Sequence, residues 1–173
     1  AYVDHDFGDN QGDSIQVSNS RLTIDHAWWG GTTITVIEMS NPKVILQQSV
    51  LPSIINNETL HGSGLTNDSF LVLDGNIFGT TTGYSDVIDF TGGQRPGPIL
   101  QIYNNVFLGG SDDGLDLDGT DAHIEGNVFM NFIQDAPRDS SANAIATGKN
   151  GSDVSHLVVV RNYFFNNDHD ILL

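Results

Sequence analysis

The 173-residue chain contains no cysteine, so neither disulfides nor thiolate metal sites enter its stability or its chemistry. Lysine and arginine number only 6 against 22 aspartates and glutamates, a net charge of −16. A surface so short of cations fits neither nucleic acid nor an anionic membrane, and neither is an expected partner. Divalent cations are the natural counter-charge. No apolar run is long enough to span a bilayer, and no Gly-rich phosphate loop follows a strand and opens a helix.

What the sequence does have is an eight-residue block, apolar-x-apolar-x-x-Asn-x-aromatic. It returns at Leu22 to Trp29, Val44 to Leu51, Leu71 to Phe78, Leu100 to Phe107, Ala122 to Phe129 and Leu157 to Phe164. The starts lie 22, 27, 29, 22 and 35 residues apart, a base period of 22 with insertions. Alternation within each block is the period-2 signature of a strand with one buried face. A 22-residue period is too short for a pair of helices and too long for one hairpin, but it suits one turn of a parallel β-solenoid. Stacked at about 4.8 Å between coils, the sixth-position residues Asn76, Asn105, Asn127 and Asn162 should form an amide ladder in a turn. The eighth position should stack Trp29, Leu51, Phe78, Phe107, Phe129 and Phe164 inside.

A second row precedes each block. In it Ile15, Ile37, Leu60, Ile88, Leu115 and Ile145 should point inward, leaving Gln16, Glu38, His61, Asp89, Asp116 and Ala146 as an outward, mostly acidic column. The expected fold is all-β, a right-handed parallel β-helix of about six coils, with handedness following the usual crossover rule. Residues 1–173 read as one domain. The chain stops at Asp170-Ile171-Leu172-Leu173, the start of a seventh coil, so the expectation is a piece of a longer chain whose last coil is covered by another copy or a neighbouring domain.

Insertions add loops at 62–69, 91–98, 130–142 and 148–156, rich in Gly, Asn, Asp and Pro. They bring Arg95 and Lys149 out beside the acidic sheet and place Arg138 on the loop entering coil 6. The densest chemistry is Ser111-Asp112-Asp113-Gly114-Leu115-Asp116-Leu117-Asp118, with Asp86 and Asp89 one coil earlier. Two carboxylates about 5 Å apart repel by roughly 3 kcal/mol at an effective dielectric near 20. Something must neutralise the cluster. Calcium, which takes several carboxylate oxygens and tolerates irregular geometry, is the expected cofactor; magnesium prefers more water, and zinc would want His or Cys.

At these residues the run S-D-D-G-L-D resembles the S-D-D-G-x-D calcium motif of the β-helical pectate lyases of polysaccharide lyase family nine. The resemblance implies that Asp112, Asp113 and Asp116 bind Ca²⁺ together with Asp89 or Asp86. It also implies a lysine base on the next coil, which strips the C5 proton from a galacturonate unit. The matching stretch is Asn143-Ala144-Ile145-Ala146-Thr147-Gly148, and the lysine position is Ala146. Lys149, three residues on, and Arg95 are the candidate replacements, the latter because arginine is the base in other β-helical pectate lyases.

Three functional expectations follow. The first is a secreted, extracellular, calcium-binding, carbohydrate-active β-helix of polyuronate-lyase type, active or degenerate, with Asp118, His61 and Arg138 contacting an acidic or neutral polysaccharide. The second is a non-catalytic structural or glycan-binding module of a large extracellular protein. The third is a metal-independent glycoside hydrolase drawing an acid and base from Asp89, Asp116 and Asp118. Trp28, facing outward beside a buried Trp29, is a further candidate sugar platform.

Overall fold

The computed structural model describes residues 12–30, 34–135 and 141–173. It contains no helix among these residues, so none long and apolar enough to cross a membrane. The chain winds as a parallel β-solenoid. A first sheet of seven strands comprises Ile15–Ser18, Ile37–Ser40, Leu60–Ser63, Ile88–Thr91, Leu115–Asp116, Asn143–Ala146 and His169–Leu172, each parallel to the next. A second sheet of six comprises Arg21–Asp25, Lys43–Gln47, Phe70–Asp74, Leu100–Tyr103, Ala122–Glu125 and Leu157–Val160. A third sheet holds Ile77–Phe78, Val106–Phe107, Val128–Met130 and Tyr163–Phe165, and parallel bridges Trp28 to Val50 and Val50 to Ile77 extend it towards the first coil.

Each sequence block is thus divided at its fifth residue, into two strands in the last four blocks and into a strand and an isolated bridge in the first two. That position holds His26, Gln48, Gly75, Asn104, Gly126 and Arg161, all with positive φ. One left-handed residue turns the chain sharply and rotates the next side chain into the core; only Gly adopts it without penalty. The sixth-position residue then offsets the strain. Asn105 Oδ1 accepts from the backbone N–H and the side-chain Nδ2 of Asn76, both at 2.9 Å, while Asn105 Nδ2 donates to Leu73 O and to Asn127 Oδ1. Asn127 bonds Asn162 and Ile102 O in the same way, and Ser49 continues the ladder with its N–H donated to Asn76. A plain alternation of apolar residues does not reveal this corner.

Inside the third sheet, Phe78, Phe107 and Phe129 stack nearly parallel with centroids 4.7 and 4.6 Å apart, close to the strand spacing itself. Phe164 adds a further ring at 5.4 Å. Inward residues of the first two sheets, Ile37, Leu60, Ile88, Leu115 and Ile145 among them, complete a dry core. A similar left-handed corner joins the first sheet to the second at Asn19, Asn41, Gly64, Gly92 and Gly119. The loop after the sixth strand of the first sheet is not irregular: Lys149–Asn150 and Asp153–Val154 pair antiparallel across Gly151 and Ser152. Gly151 supplies the positive φ that such a two-residue turn requires.

Candidate metal and proton-transfer face

The outward column of the first sheet is set by strand register. Gln16 pairs Glu38, Glu38 pairs His61, His61 pairs Asp89, Asp89 pairs Asp116 and Asp116 pairs Ala146. In each strand this residue lies one place after the buried Ile or Leu, so the buried row holds the column in line.

At the amino ends of the two central strands the aspartates converge. One carboxylate oxygen each from Asp86, Asp112 and Asp113 lies within 4.8 Å of the others. Two oxygens bound across one calcium ion at about 2.4 Å from it are at most about 4.8 Å apart, so the span suits that cation. The corner is built by hydrogen bonds. Asp86 Oδ1 accepts the backbone N–H of Asp113 at 2.9 Å, and Asp113 Oδ1 accepts both the N–H and the Nδ2 of Asn143 from the next coil, at 3.0 and 2.6 Å. The buried Asn143 is held in turn by Ser141 O and oriented towards His169.

These bonds do not offset the accumulated charge. Burial, with Asp113, Asp112 and Asp116 nearby, pushes the Asp86 carboxyl up to about 9. Burial also raises Asp113, despite the hydrogen bonds from Asn143. Asp116 is pushed up to about 7 by burial and by the charges of Asp118, Asp89, Asp113 and Asp112. Carboxyls held this far above their ordinary range are short of positive charge.

Asp89, the other candidate fourth ligand, lies outside the three-residue group and faces His61, with 3.7 Å between Asp89 Oδ2 and His61 Nε2. Asp116 also lies outside the group. Glu38 Oε2 lies 2.7 Å from His61 Nδ1, a pairing the sequence column contained but did not announce. Burial of His61 opposes its charged form, but the hydrogen bond and charge of Glu38, with Asp89 and Glu58, outweigh it and raise its pKa. Asp89 is raised by burial, against the favourable charge of His61. Asp118 lies over Gly148 of the next coil, where an added Cβ would meet its Oδ1 at 2.5 Å.

The two candidate bases are placed differently. Arg95 is committed to the junction with the second sheet: its Nη1 lies 3.0 Å from Asp121 Oδ2 and donates to His156 O at 2.8 Å. Asp121 is 1% exposed and also accepts the backbone N–H groups of Arg95 and His156. Burial would raise it, yet these donors hold its carboxyl below the ordinary value. Together with Gln94, Leu157 and Val158 they line a cleft of about 420 Å³. Lys149 stands exposed on the hairpin, with no ion pair among the described residues. Ala146 occupies its expected place in the column and is 7% exposed. Arg138 lies outside the described residues.

On the outward face of the third sheet the sequence expectation reached only Trp28. The full row is Trp28, Val50, Ile77, Val106, Val128 and Tyr163, apolar in every coil, with Trp28 48% and Tyr163 60% exposed. The signal was the seventh block position, which repeats as faithfully as the sixth. No protein-family model, curated protein or solved structure matches the chain.

Proposed function

We propose that the protein is a calcium-binding, carbohydrate-active β-helix working outside the cell on a polyuronate of pectate type. The observation that carries this reading is the convergence of Asp86, Asp112 and Asp113, whose oxygens lie within 4.8 Å of one another while burial favours the neutral forms of Asp86 and Asp113. Those three side chains would hold calcium, with Asn143 orienting Asp113. Bound there, calcium would grip a uronate carboxylate and make the neighbouring C–H bond more acidic. The likeness of Ser111-Asp112-Asp113-Gly114-Leu115-Asp116 to a lyase calcium motif supports the same substrate class.

The test is incubation of the chain with polygalacturonate, with calcium and then with chelator. Ultraviolet-absorbing unsaturated ends that appear only with calcium are the expected result; no product from any polyuronate overturns the reading. A second reading, a non-catalytic module stabilised by calcium, is favoured by the column itself, which runs from Asp116 into Ala146 and then Leu172. In that case chelator lowers the melting temperature while uronates leave it unchanged.

A further inference from the structure

The cleft between the first and second sheets is built around one buried carboxylate. Asp121 directly precedes the strand Ala122–Glu125, and its side chain is 2% exposed. Its Oδ2 accepts the backbone N–H of Arg95 at 2.9 Å and lies 3.0 Å from Arg95 Nη1, while its Oδ1 accepts the backbone N–H of His156 at 2.8 Å and lies 3.2 Å from His156 Nδ1. Arg95 and His156 are therefore each fixed twice, at backbone and at side chain, and Arg95 Nη1 also donates to His156 O. Such anchoring spares a ligand the entropy of ordering the two side chains. The strand Ile88–Thr91 separates this cleft from the carboxylate corner: Asp86 precedes it and Gln94 follows it.

Asp121 takes only part of what these side chains offer, and both remain open to solvent, 39% exposed at Arg95 and 73% at His156. Among the described residues Nε and Nη2 of Arg95 have no partner. They form the edge of a guanidinium that grips a carboxylate through two parallel bonds. A carboxylate at Nδ1 of His156 assigns the ring proton there and leaves Nε2 as an acceptor. Gln94 donates Nε2 to Gly119 O at 2.8 Å and keeps its Oε1 as a second acceptor. Leu157 and Val158 add an apolar wall to a cleft of about 420 Å³, within the range that holds small ligands. The set is a fork for one carboxylate, acceptors for hydroxyls and a wall for C–H groups. Inorganic phosphate would use only the fork.

We propose that this cleft is a binding subsite for one acidic sugar unit, with Arg95 on its carboxylate, His156 and Gln94 on its hydroxyls and Val158 against its ring. The choice of sugar rests on the polyuronate reading above, whereas the recognition itself needs neither calcium nor a reaction.

The experiment titrates digalacturonate into metal-stripped protein and reads binding by calorimetry, beside the neutral disaccharide digalactose and inorganic phosphate. Wild type should bind digalacturonate about tenfold or more tightly than either comparator. Arg95→Lys keeps a cation beside Asp121 but loses the fork, and should weaken digalacturonate about tenfold. His156→Ala removes the exposed ring while its backbone N–H stays on Asp121, and should weaken digalacturonate but not phosphate, a selectivity that a merely structural role would not produce. Melting curves show which variants are folded, and His156→Ala decides the matter if Arg95→Lys is not. Digalacturonate bound equally by wild type and both folded variants, or phosphate bound as tightly as digalacturonate, overturns the subsite. No binding of digalacturonate to wild type overturns the subsite alone when the calcium-loaded chain still releases unsaturated ends from polygalacturonate. Binding that is lost in the variants, with no product from any polyuronate, overturns the lyase reaction and leaves the subsite standing.

Discussion

Two corners of this solenoid stack polar side chains on consecutive coils, and they behave in opposite ways. At the corner between the second and third sheets, Asn76, Asn105, Asn127 and Asn162 each carry a donor and an acceptor, so the first three are satisfied by the amide of the next coil and the backbone of the previous one, and Asn162 closes the ladder on Ile124 O. At the amino end of the first sheet, Asp86, Asp112 and Asp113 offer acceptors only. Stacking them multiplies repulsion, and burial drives the protons on. The same geometric device gives a self-complementary ladder from amides and an unfinished one from carboxylates.

Asp121 shows what a carboxylate in this fold needs. It is more deeply buried than the clustered aspartates, yet Arg95, His156 and two backbone N–H groups keep it ionised. Among the described residues nothing comparable surrounds Asp86, whose hydrogen-bond partner there is the single N–H of Asp113. Burial alone therefore does not decide the charge state; the supply of donors does.

The comparison can be broken hardest at the amide ladder. Asn105→Leu strands the N–H of Asn76 and the carbonyl of Leu73, and should cost about 3–5 kcal/mol, read as a fall of about 10 °C in melting temperature. Next in size, saturating calcium at pH 8 should raise the wild-type melting temperature by about 5–10 °C and leave Asp112→Asn nearly unmoved. Arg95→Met removes the cation from buried Asp121 and should cost about 2 kcal/mol, measurable by urea denaturation.

The smallest effect has the opposite sign. In metal-free protein at neutral pH, Asp86→Asn keeps an oxygen for the N–H of Asp113 and removes the cost of holding a proton on a buried carboxyl that the unfolded chain would ionise, and should raise stability by about 1 kcal/mol. The same logic sets the pH dependence. Asp116 near 7 and Asp86 near 9 hold protons in the native state that the unfolded chain releases near 3.8. Their contribution is therefore fully present below about pH 4 and lost as pH rises through 7 and 9. Melting of the metal-free chain from pH 4 to 9 should trend downward, and calcium should flatten the upper part of the curve.

Much of this architecture could be read from the sequence because a solenoid writes its contacts as a period. The inward Ile and Leu row, the outward column from Gln16 to Ala146, the Asn ladder and the Phe stack all follow from aligning the repeats. Division of each block at its fifth residue was not legible in that alternation, because a single left-handed residue such as Gln48 or Arg161 leaves the apolar pattern intact. Side-chain pairing was legible only as far as the column. Register placed Glu38 beside His61, but which neighbour the imidazole bonds depends on rotamers, and it turned its Nδ1 to Glu38 rather than to Asp89. Arg95 likewise stood close to the acidic sheet by sequence, while the buried acceptor carboxylate of Asp121 holds it at the junction with the second sheet.

The sharpest test is a calorimetric titration of chelator-stripped protein with calcium at neutral pH. One ion per chain is expected to bind with measurable heat and with proton release from the corner aspartates, and Asp112→Asn or Asp113→Asn should abolish it. A flat titration of the wild-type protein, with no shift in its melting temperature, would contradict a cation site at Asp86, Asp112 and Asp113.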